Sequence, residues 1–172
     1  MKPVSEWDLN YILQLPAGEF DWLEFKGRKG LDWSLNGGDE NKVLDDLSKQ
    51  LSAFANSDGG VLAYGILNPM DHKQRSVDDG GILIALKKPN IREWLEDVIP
   101  NLVEFPLKKF NVYALTNTNG ASDLADDRCI VLVHIPVSDD APHQSRDQKY
   151  YARVGGKSKP IGHRLVTDIF HR

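Results

Sequence analysis

Apolar positions in this chain follow two rhythms, one with the period of a helix and one of short unbroken runs. The clearest helical rhythm lies over residues 39–56, where Val43, Leu44, Leu47, Leu51, Phe54 and Ala55 share one face. Asp39 and Glu40 stand at its start, where the positive end of a helix favours acid. It stops at Asn56-Ser57-Asp58-Gly59-Gly60, with Asn56 and the glycines available for positive φ, and the apolar run 61–67 follows as a buried strand. Further helices are predicted over 6–14 (capped by Ser5, closed by Pro16), over 90–103 with a kink or stop near Ile99 ahead of Pro100, and over 162–171. Strands are predicted over 20–26, 82–86, 110–115, 129–137 and 149–154, the last followed by a turn over 155–160. Residues 27–38, 68–81 and 116–128 are polar or rich in Gly, Asn and Asp, and read as loops. No repeat or linker divides the pattern. The expectation is α+β: a single domain over residues 1–172, with a mixed β-sheet flanked by helices.

Composition supports a folded unit, because 41% apolar residues supply one core for 172 residues. No apolar run approaches the ~18 residues of a membrane span and no signal-peptide core follows Met1, so a cytoplasmic location and no membrane partner are expected. Cys129 is the single cysteine, which excludes an intrachain disulfide and a cysteine-based zinc site within one chain; its apolar setting reads as core strand. The net charge of −4 hides an asymmetry: residues 143–172 carry +5 and the remainder −9. Such a basic segment points to an anionic partner, although clustered surface charge also occurs without one.

Three stretches carry candidate chemistry. In Glu19-Phe-Asp-Trp-Leu-Glu24-Phe-Lys26, two carboxylates and a lysine provide oxygen ligands for Mg²⁺ or Mn²⁺ and an ammonium to steady phosphate charge. Glu24 and Lys26 share one strand face, whereas Glu19 joins them only from a position ahead of the strand or beyond a bulge. The competing interpretation is an edge strand whose charges keep it solvated. The Gly59-Gly60 joint runs from helix to strand, the reverse of a phosphate loop, and reads as a structural turn. In the basic segment, Arg146, Lys149, Arg153, Lys157, Lys159 and Arg164 can neutralise phosphates, with Tyr150 and Tyr151 interleaved as stacking platforms; the alternative buries one tyrosine and leaves the cations solvated. The five histidines show no metal-ligand spacing.

Taken in order, Glu19 to Lys26, Ala53-Phe-Ala-Asn-Ser-Asp-Gly-Gly60 with Val61 to Gly65, then Pro142 and Tyr151-Ala-Arg-Val-Gly-Gly156 resemble the Schlafen family and its bacterial AlbA-type relatives. The resemblance implies a mixed sheet flanked by helices and a nucleic-acid ligand, RNA or DNA. In Schlafens two lobes form a basic cradle for tRNA-like or other structured RNA, so one lobe here would require a homodimer. Nuclease members of the family use two glutamates five apart and a third acid after the strand beyond the Gly-Gly turn, binding Mn²⁺ or Mg²⁺. Glu19 and Glu24 match in type and spacing; the third place falls on Asn68, with Asp71 three residues on. The resemblance thus implies Glu19, Glu24 and Asn68 or Asp71 as metal ligands, and Lys26 as a helper at the scissile phosphate. The cysteine-and-histidine zinc site of animal Schlafens is absent.

The expected function is a nucleic-acid-binding domain, with metal-dependent endoribonuclease activity on tRNA or structured RNA as its catalytic form. The alternatives are a non-catalytic DNA-binding module of a transcription regulator, or an interaction module of a larger ATPase-type protein. Arg172 ends the sequence inside the last predicted helix with no Gly or Pro stop, the pattern of an N-terminal piece of a longer protein.

Overall fold

The computed structural model describes residues 1–68, 74–117 and 123–172. The first half runs α1 (Leu9–Leu13), β1 (Leu23–Lys26), α2 (Glu40–Ala55), β2 (Gly60–Tyr64), β3 (Ile66–Leu67), β4 (Ser76–Val77) and β5 (Ile82–Leu83). Then come α3 (Ile91–Val98), β6 (Val103–Glu104), β7 (Asn111–Thr116), β8 (Arg128–Ile135), β9 (Gln144–Ser145), β10 (Tyr151–Val154), β11 (Lys157–Pro160) and α4 (His163–Phe170).

The long helix forms where its periodicity requires, with the Asp39 side chain accepting from the Asn41 amide at its start. At its end the positive φ falls on Gly59 (+76°) and Gly60 (+158°), while Asn56 is right-handed. A Cβ on Gly60 would lie 2.4 Å from the Phe54 ring, so this joint needs glycine for space as well as for φ. The first helix is shorter than expected. Asp8, not Ser5, caps it by accepting from the Tyr11 amide at 2.7 Å, and Val4–Glu6 forms a separate 3-10 turn. The third helix ends at Val98 and tightens into a 3-10 turn over Ile99–Asn101, as Pro100 demands. Lys157–Pro160, expected within a turn, instead pairs antiparallel with β10, so the turn shrinks to Gly155-Gly156.

β1 pairs parallel with β2, β2 antiparallel with β8, and β8 antiparallel with β5 and β7, giving the expected mixed sheet. Cys129 is partnered by both Ile82 and Thr116, so β5 and β7 lie on opposite edges of β8. Alternation along β8 divides the core: Ile130 and Leu132 join Trp7, Ile12, Leu23 and Val61 on the α1 side, while Val131, Val133 and Ile135 join Leu47, Leu51, Phe54 and Leu95 on the side of α2 and α3. Cys129 is fully buried there, as its sequence setting suggested. β1 is the sheet's edge, and its α2-facing positions are Glu24 and Lys26.

One flank of α2 is polar. Ser48, Ser52 and Asn56, one turn apart, are buried and clasp the chain's last third. The Asn56 amide donates to the carbonyls of His143 (2.9 Å) and Tyr151 (3.0 Å) and accepts from the His143 N–H at 2.6 Å. Ser52 Oγ donates to the His143 carbonyl and accepts from the Tyr151 N–H, and Ser48 Oγ accepts from the Arg146 N–H. These bonds bring the β10–β11 hairpin alongside β1.

Candidate functional site

Between β1, α2 and the β10–β11 hairpin lies a cleft of about 520 Å³, lined by Glu19, Glu24, Lys26, Asp46, Lys49 and Lys157 among others. Glu19 reaches it from the segment ahead of β1, where Phe20 bridges back to Leu23, so the five-residue spacing of the two glutamates meets no strand-face conflict. Gly156 seals this corner. Its N–H donates to Asp21 Oδ1 at 2.7 Å, and a Cβ there would lie 2.4 Å from Glu19 Cβ.

Each carboxylate in the cleft faces a cation. Glu24 accepts from Arg153 at 3.0 Å, Asp46 pairs with Lys26 at 3.0 Å, and Glu19 lies 3.9 Å from Lys157. Among the described residues Lys49 has no acid partner, and it lies over the Tyr151 ring at 5.5 Å. Beneath them the Tyr64 hydroxyl is buried and, among the described residues, has no hydrogen-bond partner. Burial, with smaller contributions from Asp46 and Glu24, pushes its ionisation well above the ordinary phenol range and keeps it neutral.

Arg153 is not a surface cation. Its side chain is 0% exposed and rests on the Phe54 ring at 4.6 Å. All five N–H donors are engaged: Nε with the Asp21 carbonyl, one terminal nitrogen with Glu24 and Ser158 Oγ, the other with the Phe20 and Gly156 carbonyls. No donor remains for a phosphate, which corrects its expected role as a nucleic-acid contact. Tyr151 is corrected likewise: it is buried, and its hydroxyl donates to Asp147 at 2.6 Å, so its ring offers no platform for a base. Arg146 pairs with Asp45 at 3.2 Å outside the cleft. Lys149 and Lys159 are exposed and also do not line it; of the basic segment, Lys157 does.

Asn68 lines the cleft too, and its side-chain Oδ1 accepts from Arg75 Nε at 3.2 Å. Arg75 also donates to the carbonyls of Ile12, Leu15 and Pro16 and rests on the Phe25 ring at 4.1 Å. Asp71 and His72 lie outside the described residues. Among the described residues no three His, Cys, Asp or Glu side chains form a group able to hold a metal ion. Glu24 and Asn68 each already face a guanidinium. The described donor set therefore does not fit a divalent ion as it stands.

Sequence reasoning missed Asp46, Lys49, Gln50 and Ser158. The signal was present: Lys42, Asp46 and Lys49 fall at i, i+4 and i+7, a charged stripe on the long helix. Gln50 Oε1 accepts from Ser158 Oγ at 2.6 Å, tying that helix to the hairpin.

A profile of the family described as Schlafen, AlbA_2 matches residues 19–162. The chain belongs to this family. Schlafen AlbA_2 membership makes this a nucleic-acid-related domain, and the matched span begins at Glu19 and takes in every cleft-lining residue except Gly18. No curated protein sequence matches the chain significantly. Among solved structures, the DIP2311 protein from Corynebacterium diphtheriae is similar in fold, with a TM-score of 0.53 at 18% identity over 82% of this chain. This Schlafen AlbA_2 chain spans 25% of the length of that one. No helix among the described residues is long and apolar enough to cross a membrane.

Proposed function

We propose that the cleft beside β1 binds the sugar–phosphate backbone of a nucleic acid, RNA or DNA. The observation that carries this reading is the charge arrangement: Glu19, Glu24 and Asp46 are each matched by a cation, and Lys49 remains over. An incoming phosphate meets Lys26, Lys49 and Lys157 on the cleft walls, and its oxygens compete with Asp46 and Glu19 for the two paired lysines. Arg153 contributes from below by holding Glu24 and the hairpin in place. Such contacts read the backbone rather than the bases, so affinity is expected to depend on salt more than on sequence.

The test is binding of labelled RNA and DNA across a salt series, with wild type and a Lys26→Gln/Lys157→Gln variant. For a single strand, loss of two phosphate contacts lowers the slope of log affinity against log salt by ~1.4, and for a duplex by ~1.8. An unchanged slope removes this surface from consideration.

A second reading, metal-dependent strand cleavage, is favoured by Glu19 and Glu24 lining one cleft together with Lys26. It requires Glu24 to exchange Arg153 for the ion, because the described donors do not hold one as they stand. Its test repeats the assay with and without Mn²⁺ and with Glu24→Gln. Cleavage that needs both the ion and Glu24 supports it, and intact substrate in every lane refutes it. A two-lobed cradle would take a second copy of this chain, which light scattering with and without RNA detects as a doubled mass.

A further inference from the structure

A second hollow of about 280 Å³ adjoins the cleft and shares Lys26, Gly27 and Asp46 with it, so the two are parts of one trough along α2. We propose that a single unpaired nucleic-acid strand runs from the cleft into this hollow, where Lys29 and Lys42 hold its phosphates. The proposal rests on the cleft reading above and adds the strand's path and its unpaired state.

Among the described residues neither the Lys29 nor the Lys42 ammonium has an ion pair, and both side chains are exposed. The nearby acids are otherwise engaged: Glu40 pairs with Lys87 at 2.8 Å, Asp45 with Arg146 at 3.2 Å, Asp46 with Lys26 at 3.0 Å, and Asp39 caps α2. Among the described residues these two cations line the hollow with no acid in ion-pair contact.

The wall carrying Lys29 is braced. Asn36 Nδ2 donates to the Lys29 carbonyl at 2.7 Å, and the Arg28 N–H donates to Asp78 Oδ2 at 2.7 Å. At Gly30 a Cβ would meet the Tyr64 ring at 2.8 Å, so this turn is packed onto the sheet. The opposite wall is α2, where Lys42 and Lys49 stand seven residues, or ~10.5 Å, apart along the axis. Lysines on both walls of a concave trough enclose one backbone, whereas a duplex would rest on the rim and reach fewer of them.

The test is fluorescence anisotropy with labelled oligothymidylates of about 4 and about 12 nucleotides, sizes that bracket short and extended sites. A duplex of the longer length, Lys29→Gln/Lys42→Gln, and a control, Lys108→Gln/Lys109→Gln, complete it. The control makes the same charge change elsewhere, at lysines paired with Asp140 and Asp139. The expected result is a loss of about 25-fold for the long strand at about 0.1 M salt, from a slope lower by ~1.4. The short strand, filling the cleft alone, is unchanged, and the duplex binds more weakly than the long strand. Equal losses on short and long strands, a loss matched by the control, or tighter binding of the duplex overturns the proposal. If Lys26→Gln/Lys157→Gln weakens binding but Lys29→Gln/Lys42→Gln does not, this path fails and the cleft reading stands. If wild type binds no strand, both fall.

Discussion

Replacing Arg153 by lysine separates two roles that a sequence assigns equally well to a cation in a basic segment. The guanidinium satisfies five acceptors, and an ammonium has three N–H groups, so at least two acceptors lose their donor. At ~1.5–3 kcal/mol for each hydrogen bond to a charged group, two losses cost about 3–6 kcal/mol. The lower end applies, because the Glu24 side chain is 26% exposed and water can solvate it once released. With a urea m-value near ~2 kcal/mol/M, about 3 kcal/mol moves the unfolding midpoint down by about 1.5 M. The assay is urea unfolding followed by tryptophan fluorescence, alongside nucleic-acid affinity measured on the folded fraction alone. The placement of Arg153 requires a large midpoint shift with the salt slope of binding retained. A midpoint shift under about 0.5 M, with affinity lowered at an unchanged salt slope because lysine keeps the charge, would identify Arg153 as a phosphate ligand and refute the enclosure described above.

Three further outcomes are expected. Gly156→Ala should destabilise by about 2 kcal/mol or more, combining positive φ with a clash against Glu19, whereas Gly155→Ala, with positive φ but open space, should cost about 1 kcal/mol; the two urea midpoints check this. Burial pushes the Cys129 thiol up to about 11, so a thiol-specific disulfide reagent at mildly alkaline pH should leave the native protein unmodified and react fully once it is unfolded. Burial also lowers the His143 pKa, against a smaller opposing effect of the Phe105 carbonyl, and burial lowers that of His134. The unfolded chain then binds protons first as pH falls, so stability is complete above pH ~6.5 and declines below it; urea midpoints through that range should fall, and less steeply in His143→Gln.

The sequence disclosed elements whose signals are local. Val43 to Ala55 fixes its helix by spacing alone, and the Gly59-Gly60 joint with the apolar run after it allows little besides turn and buried strand. Lys157–Pro160 was hidden because it has no apolar residue and gains its strand conformation by pairing with β10. Arg153 was misplaced for a physical reason. Arginine is ordinarily solvated, and its burial depends on carbonyls at Phe20 and Asp21, more than 130 residues away, which no window of sequence displays. The burial of Tyr151 is equally non-local, because its carbonyl and N–H are clasped by Asn56 and Ser52. The two glutamates were legible by spacing, but the lysines that outnumber the acids of the trough come from α2 and the Lys29 turn, outside the segment with the highest local charge.

The clasp made by Ser48, Ser52 and Asn56 also fixes when the cleft can exist. Its bonds join residues 87 to 99 positions apart, so they form after the intervening chain has been made and ordered. During synthesis α2 and β2 emerge early, carrying two hydroxyls and an amide whose partners have not yet left the ribosome. Until the hairpin docks, Glu24 lacks its guanidinium and the cleft lacks a wall. The ligand surface is therefore among the last features to assemble, and a chain interrupted before residue 143 would present the β1 edge with none of this surface's selectivity.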